Sequence, residues 1–354
     1  MRETPDFDVA DPGLRDPVEA VPPRAPGLEP PAPLWVDTRR TWQAFAASRP
    51  EPPNWADCAP RGTKVTDHDP RLLFHGQMRY VRTPAYNTVL LMAHDQMRAN
   101  RTRAHSRAGI IIHGPRNTGK TVLLQSLGLY YERKIQRLYA KDENRTPVIA
   151  LSVPAPMHGG MRNWAGAFAK FLGLERDGRS DPTRAVCHVM RASGTLLVLI
   201  DGIERLRGRD DARQTFAFLD YISEQTGATF VYCGRGARAI VGPRTADTQT
   251  ALLVNEEPWG DHAVLRTSRI DFSDQGKGTF ATIVDGFDKD LRLFEHQRKD
   301  LTALSPYLHK RSKGYLRALS QLVCQGAQKA IITGEERITE ELLDSLYLGR
   351  TVLL

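Results

Sequence analysis

The sequence predicts an α/β protein: a three-layer sandwich built round a phosphate-binding loop, followed by a small all-helical lid and preceded by a proline-rich arm. Three observations carry that expectation. The octapeptide Gly114-Pro115-Arg116-Asn117-Thr118-Gly119-Lys120-Thr121 stands between an apolar run and a helical pattern. Short apolar runs then alternate with helical patterns as far as residue 272, the mark of a sheet flanked by helices. Beyond about residue 280 only helical patterns remain.

The octapeptide comes first because the chemistry centres on it. Gly109-Ile110-Ile111-Ile112-His113 precedes it as a strand, and a helix is expected from Thr121 to about Leu138. A strand, a glycine-bounded loop ending in Lys-Thr, and a helix form the context in which this motif binds phosphate. Successive backbone N–H groups turn toward one point, and the helix N-terminus adds unpaired donors and the positive end of its dipole. The expected nucleotide-binding set is Gly114, Pro115, Arg116, Asn117, Thr118, Gly119, Lys120, Thr121 and Val122. Lys120 can reach the β- and γ-phosphates and serve catalysis, and the Thr121 hydroxyl can hold Mg²⁺.

The remaining elements follow in order. Residues 1–60 hold thirteen of the twenty-three prolines, so an arm over 1–68 reads as largely disordered or extended. Leu34-Trp35 and Trp42-Gln43-Ala44-Phe45 interrupt it as an apolar patch, either docked or a short helix without a role. A helix over Tyr86–Met97 precedes the first strand, either walling a base or simply packed; Arg98, Arg101, Arg103 and Arg107 follow it. Strands are expected over 146–154, over Thr195–Asp201, over Ala228–Cys233 and at Ile270-Asp271-Phe272. Helices are expected over 164–172, 183–190 and 214–224, and then over 281–294, 298–310, 313–332 and 338–348. The domain reading is therefore an arm over 1–68, an α/β domain over 69–280 and a helical lid over 281–354.

Charge and cysteines narrow the setting. The formal charge is +8, yet residues 1–60 carry six Arg against ten Asp and Glu, so the remainder carries +12. A body this basic suits nucleic acid, or is the ordinary solubility charge of an Arg-rich chain. Cys58, Cys187, Cys233 and Cys324 are scattered without a CxxC pair, which argues against a zinc site or a disulfide framework. With no secretory pattern and no apolar stretch approaching the ~18 residues of a membrane span, a cytoplasmic protein without membrane partners is expected.

A second half of the phosphate site lies about 80 residues on, where an apolar strand ends in Asp201 and places a carboxylate for the Mg²⁺ shell opposite Thr121. Gly202 follows it, without the carboxylate that would polarise an attacking water. Glu204 can substitute if the strand end turns, since a general base must come within hydrogen-bond reach of that water. Slow or conditional hydrolysis is the expectation. Arg317, at the start of a lid helix, can reach back toward the γ-phosphate, and Arg244, Arg266 and Arg269 lie where an arginine contacting a neighbour's phosphate could be, with Arg266 the choice.

Taken together, Gly114–Thr121, the strand to Asp201, the strand to Cys233 and Gly314-Tyr315-Leu316-Arg317 resemble the ordered landmarks of an AAA+ ATPase. They look like its Walker A and Walker B motifs, sensor-1 strand and sensor-2 arginine. More narrowly, the chain resembles the TniB/TnsC group of transposition helper ATPases over roughly residues 70–348. The helix over Tyr86–Met97, the segments 147–154 and 230–237, and the lid ending at 327–339 carry that resemblance. It implies ATP and Mg²⁺ as cofactors, assembly of homo-oligomers on duplex DNA and recruitment of a transposase. The chain departs from the pattern at Gly202, at Glu204 in place of a His, and at Cys233-Gly234, where sensor 1 usually has an amide or hydroxyl. An ATP-gated signalling or defence switch acting on a protein partner is the alternative. The absence of a winged-helix pattern before Leu354 is expected to weigh against a replication-initiator-like loader.

Overall fold

In the computed structural model the structure describes residues 37–48, 52–58, 60, 65, 69–76, 83–103, 107–157, 161–174, 181–241 and 262–349. Among the described residues, three α-helices precede the sheet: α1 (Arg39–Ala47), α2 (Pro70–Gly76) and α3 (Pro84–Asn100). The α/β part then runs β1 (Ile110–His113), α4 (Lys120–Leu138), β2 (Val148–Ser152), α5 (Trp164–Leu172), α6 (Thr183–Ala192), β3 (Leu197–Asp201), α7 (Gly208–Thr226), β4 (Thr229–Gly234), α8 (Ala237–Ile240) and β5 (Ala263–Arg266). Five helices follow: α9 (Asp274–Asp290), α10 (Asp300–Ala303), α11 (Ser305–Ser312), α12 (Leu316–Thr333) and α13 (Glu340–Asp344).

The sheet is parallel throughout, in the order β2-β3-β4-β1-β5. Its central strands are apolar end to end because helices cover both faces. Ile110, Ile111 and Ile112 of β1, Leu197–Ile200 of β3 and Phe230–Cys233 of β4 are all buried. This register brings His113, Asp201 and Gly234 to one edge, where the strands end.

The helix expected over Tyr86–Met97 is α3, started by Pro84 in its first turn, where the missing N–H costs nothing. Its last residue, Asn100, is buried and clamps the entry to β1: its amide donates to Ala108 O and Thr229 Oγ1, and Ala108 N–H donates back to its Oδ1. α3 is thus a packed helix against the sheet.

The structure corrects three expectations. The fifth strand is Ala263–Arg266, paired in parallel with β1, and not Ile270-Asp271-Phe272. Ile270 and Phe272 are apolar for a different reason: they pack against the helices of a second core. The helix expected over 298–310 is two, α10 and α11, and α12 begins only at Leu316 because Lys313 and Gly314 take positive φ, 52° and 76°. The apolar patch at Trp42–Phe45 lies in α1. Trp42, 1% exposed, sits in the sheet core with its indole N–H on Glu132 at 3.0 Å.

The second core is formed by Phe280, Ile283, Leu308, Leu319, Leu322 and Ile331 with their neighbours. Residue 280, the expected boundary, lies inside α9 and contributes its ring to this core. α2, which precedes the sheet in sequence, belongs here too: Arg71 bonds Glu336 at 2.8 Å, and Gln328 donates to Leu72 O.

Candidate nucleotide site

The loop between β1 and α4 is shaped by backbone that side chains resist. Gly114 has φ 150°, and a Cβ there would stand 2.2 Å from Thr267 O. Gly119, at φ 84°, is the residue on which α4 starts, and Asn117 is also left-handed at φ 65°. Glycine takes such conformations without steric cost. The α4 N-terminus therefore opens directly onto the loop, with its first N–H groups lacking partners in the helix.

Side chains divide by direction. Thr118 is 3% exposed and points into the body, bonding Pro115 O at 2.9 Å and Thr267 Oγ1 at 2.7 Å. Lys120 bends over the loop and donates to Pro115 O. Burial lowers its pKa, against the opposing charges of Glu204 and Asp201. Pro115, Arg116 and Thr121 are exposed, and Val122 is half-buried in the first turn of α4.

Thr121 and Asp201 meet across 80 residues of chain: the hydroxyl donates to Asp201 Oδ2 at 3.0 Å, while Gly202 N–H donates to Oδ1 at 3.0 Å. Two oxygens about 3 Å apart match one edge of an octahedron whose ligands lie at roughly 2.1 Å, so this pair fits Mg²⁺. Among the described residues no cluster of three or more His, Cys, Asp or Glu could cage a metal. An ion here would keep several waters, as Mg²⁺ does beside phosphates.

After β3 the chain turns sharply. Gly202 is left-handed at φ 83°, and residues Ile203–Arg205 form one 3-10 turn. The turn brings Glu204 back to the end of β4, where its Oε2 accepts from Arg235 N–H at 3.1 Å. The carboxylate also lies 2.3 Å from where a Cβ on Gly234 would stand, so glycine there makes room for it. Beside Asp201 in register is Cys233, wholly buried, its thiol pKa raised by burial and by Asp201.

Arg317 lies in the first turn of α12, its side chain exposed. Its backbone N–H donates to Asn117 O at 3.2 Å. Leu316 Cδ1 comes within 3.1 Å of an ideal Cβ on Gly119. Two helix N-termini, of α4 and α12, thus converge on one loop. Arg266 ends β5 opposite His113 of its own chain; burial lowers the His113 pKa, and Arg238, Arg266 and Lys120 add to the shift. Arg269 is exposed and Arg244 lies outside the described residues.

Sequence reasoning missed Thr267. It is buried, takes its N–H to His113 O at 2.7 Å and closes the back of the loop through Thr118. The signal was its place directly after β5, hidden while that strand was expected at 270–272.

A family model described as "AAA domain" matches residues 102–238, which span the loop, β3 with Asp201, and β4. Residues 102–238 are an AAA domain. The parallel five-stranded sheet with its loop is the AAA+ P-loop fold. Among solved structures, the chain is similar to the Aeropyrum pernix ORC2 protein in its ADPNP–ADP complexes, with TM-score 0.52 and 14% identity, covering 79% of this chain and 70% of that one. The ADP form of that ORC2 protein gives TM-score 0.50 and 13% identity, covering 76% and 68%. The Aeropyrum pernix ORC1 protein solved in complex with DNA gives 0.46 and 13%, covering 76% of this chain and 65% of that one, just under two thirds of its length. At such identities the likeness speaks to the fold alone. No curated protein matches the chain. Among the described residues no helix is long and apolar enough to cross a membrane.

Proposed function

We propose that the chain binds ATP with Mg²⁺ at Gly114–Val122 and Asp201, and uses that binding to control its assembly as a homo-oligomer on duplex DNA. The observation that carries the nucleotide part is the convergence of the α4 and α12 N-termini on the loop, with Thr121 and Asp201 3.0 Å apart beside it. The α4 N-terminus favours an anion through its unpaired N–H groups and dipole, while α12 braces the loop through Arg317 N–H on Asn117 O and adds the positive end of its dipole. Lys120 supplies the charge for the β- and γ-phosphates, and Arg317 joins it from the helical part. Bound Mg²⁺ supplies charge neutralisation between the phosphates. The helical part over 281–354 serves as a lid on the α/β part.

Hydrolysis on this reading is slow. Gly202 offers no carboxylate, and Glu204 is oriented toward the end of β4 by Arg235 N–H, so an attacking water must come within hydrogen-bond reach of its remaining acceptor sites. Arg266 is the arginine assigned to transfer chemistry. The DNA part rests on the basic body, +12 outside residues 1–60, and on the resemblance to transposition helpers. On that basis a transposase is the expected protein partner.

One titration series tests both parts. A fluorescent ATP analogue should bind the wild type and bind Lys120→Ala far more weakly. Labelled duplex DNA should bind only with nucleotide present, with affinity falling steeply as salt rises and with larger assemblies forming. A protein that binds ATP yet ignores DNA at low salt would instead act as a nucleotide-gated switch on a protein partner.

A further inference from the structure

Arg162 stands outside the nucleotide site, yet it bonds the end of the turn that carries Glu204. Its side chain is 2% exposed and every nitrogen is used. Nε and Nη2 form a fork on Asp211 at 2.8–3.0 Å, Nη1 donates to Pro154 O, and Nη2 also donates to Arg205 O at 2.6 Å. Burial works to raise the Asp211 pKa, but the bonds from Arg162 and from Arg207 N–H outweigh it and hold the carboxylate below its usual range. The guanidinium is therefore a fixed fork joining three chain segments.

Arg205 closes the turn that carries Glu204. The turn is held at several points: Gly202 N–H donates to Asp201 Oδ1 and to Cys233 O, Ile203 is buried in the sheet core, Glu204 Oε2 accepts from Arg235 N–H, and Arg205 O, at its far end, accepts from Arg162. Gly202, left-handed at φ 83°, adds no side chain to that packing, and Arg162 is the side chain that holds the end of the turn after Glu204. A single 3-10 turn has poor intrinsic hydrogen-bond geometry, so its position is set from outside.

We propose that Arg162 is a positioning residue for the nucleotide site: by holding Arg205 O it fixes where the Glu204 carboxylate stands. The inference rests on the ATP-hydrolysis reading above. Arg162 spends its nitrogens on Asp211, Pro154 O and Arg205 O, so its loss should leave ATP binding alone and act only through Glu204. A displacement of about 1 Å in such a group costs up to roughly a hundredfold in rate.

The experiment compares wild type, Arg162→Lys, Asp211→Asn and Glu204→Gln, with thermal unfolding as the folding control. Lys keeps the charge facing Asp211, but one ammonium cannot serve Asp211, Pro154 O and Arg205 O together. Arg162→Lys is expected to lower kcat for ATP about 10- to 100-fold, with KM within about twofold, and to speed amide exchange over residues 203–206. In the Glu204→Gln background Arg162→Lys should cost nothing more, because the two act as a unit. An unchanged kcat in folded Arg162→Lys overturns the proposal, as does a further loss in the Glu204→Gln background. A rise in KM with kcat unchanged also overturns it, because that marks a binding role. Wild type that binds the analogue but shows no turnover overturns the hydrolysis reading and this inference with it, leaving ATP binding standing.

Discussion

The two cores of this molecule handle buried charge in opposite ways. The sheet core is apolar through its centre, with Asp201, Glu204 and Lys120 gathered where the strands end and the Arg162–Asp211 pair as its buried ion pair between surrounding segments. Among the described residues its deeply buried carboxylate, Glu132, accepts from neutral donors, the Trp42 indole and the Gln136 amide. The helical core is threaded with ions. Arg71, wholly buried, joins Asp69 to Glu336, whose Oε2 also accepts from Phe294 N–H. Asp288, 2% exposed, takes Arg298, Lys299 N–H and Leu301 N–H. A parallel sheet fixes its own register through its backbone; short helices do not. In the helical half a charged group satisfies loops that have no ladder of their own, as Glu336 and Asp288 each do.

The largest expected effect tests that contrast. Arg71→Met strands Asp69 and Glu336 as buried carboxylates without their cation, and breaking a buried pair in this way costs about 3–5 kcal/mol. Amide exchange resolved along the chain should show protection lost first in α2 and around 292–294 and 330–336, with the sheet still protected. Equal loss across both halves would show one cooperative unit and end the distinction.

Next in size is Lys120→Ala. Removing a charge-assisted contact to phosphate is worth about 1.5–3 kcal/mol, or a 10- to 100-fold weaker Kd for an ATP analogue. Sheet stability should stay within about 0.5 kcal/mol, since the loop lies outside the core. A large loss of stability would mean that the site and the sheet core are not separable.

Gly202→Glu is smaller and more pointed. It restores the carboxylate that the sequence lacks, but at φ 83°, where a non-glycine residue costs roughly 1–2 kcal/mol, and with its Cβ 3.1 Å from Arg205 Nε. The turn that brings Glu204 round requires this conformation, so the new side chain is not expected to raise turnover in a phosphate-release assay. A tenfold gain would show that only the side chain was missing.

The same comparison explains what could be read from the sequence. The loop was legible because its signal is local: eight consecutive residues dictate glycine conformations, helix start and Lys120 together. The central strands were legible because burial on both faces leaves an unbroken apolar run. β5 was not, because four residues ending in Arg266 carry little signal, while Ile270 and Phe272 look like a strand and are half-buried against helices. Arg71 and Glu336 are 265 residues apart, and nothing local marks either one. Trp42 stood out as an apolar residue in a proline-rich arm, but its partner Glu132 lies on a helix 90 residues on.

The smallest effect separates the halves by the sign of their pH dependence. Burial raises the Glu132 pKa above its ordinary 4.5, against the hydrogen bonds of Trp42 and Gln136 and the charge of Arg39. A raised folded-state value means that its contribution is fully present below about pH 4.5 and is lost as pH rises through the raised value. Asp69 behaves the other way. Burial would raise it, but the hydrogen bonds and charge of Arg71 hold it below 3.8, so its contribution is present above that value and is lost as pH falls through the depressed one. Acidification from neutral should therefore relieve the sheet core around α1 and α4 while loosening α2 from the helical core. Glu132→Gln should flatten the first trend and Asp69→Asn the second, read as residue-resolved exchange against pH after correction for intrinsic rates. If both halves shift in the same direction, Arg71 does not dominate Asp69, and the helical core is held by its apolar contacts alone.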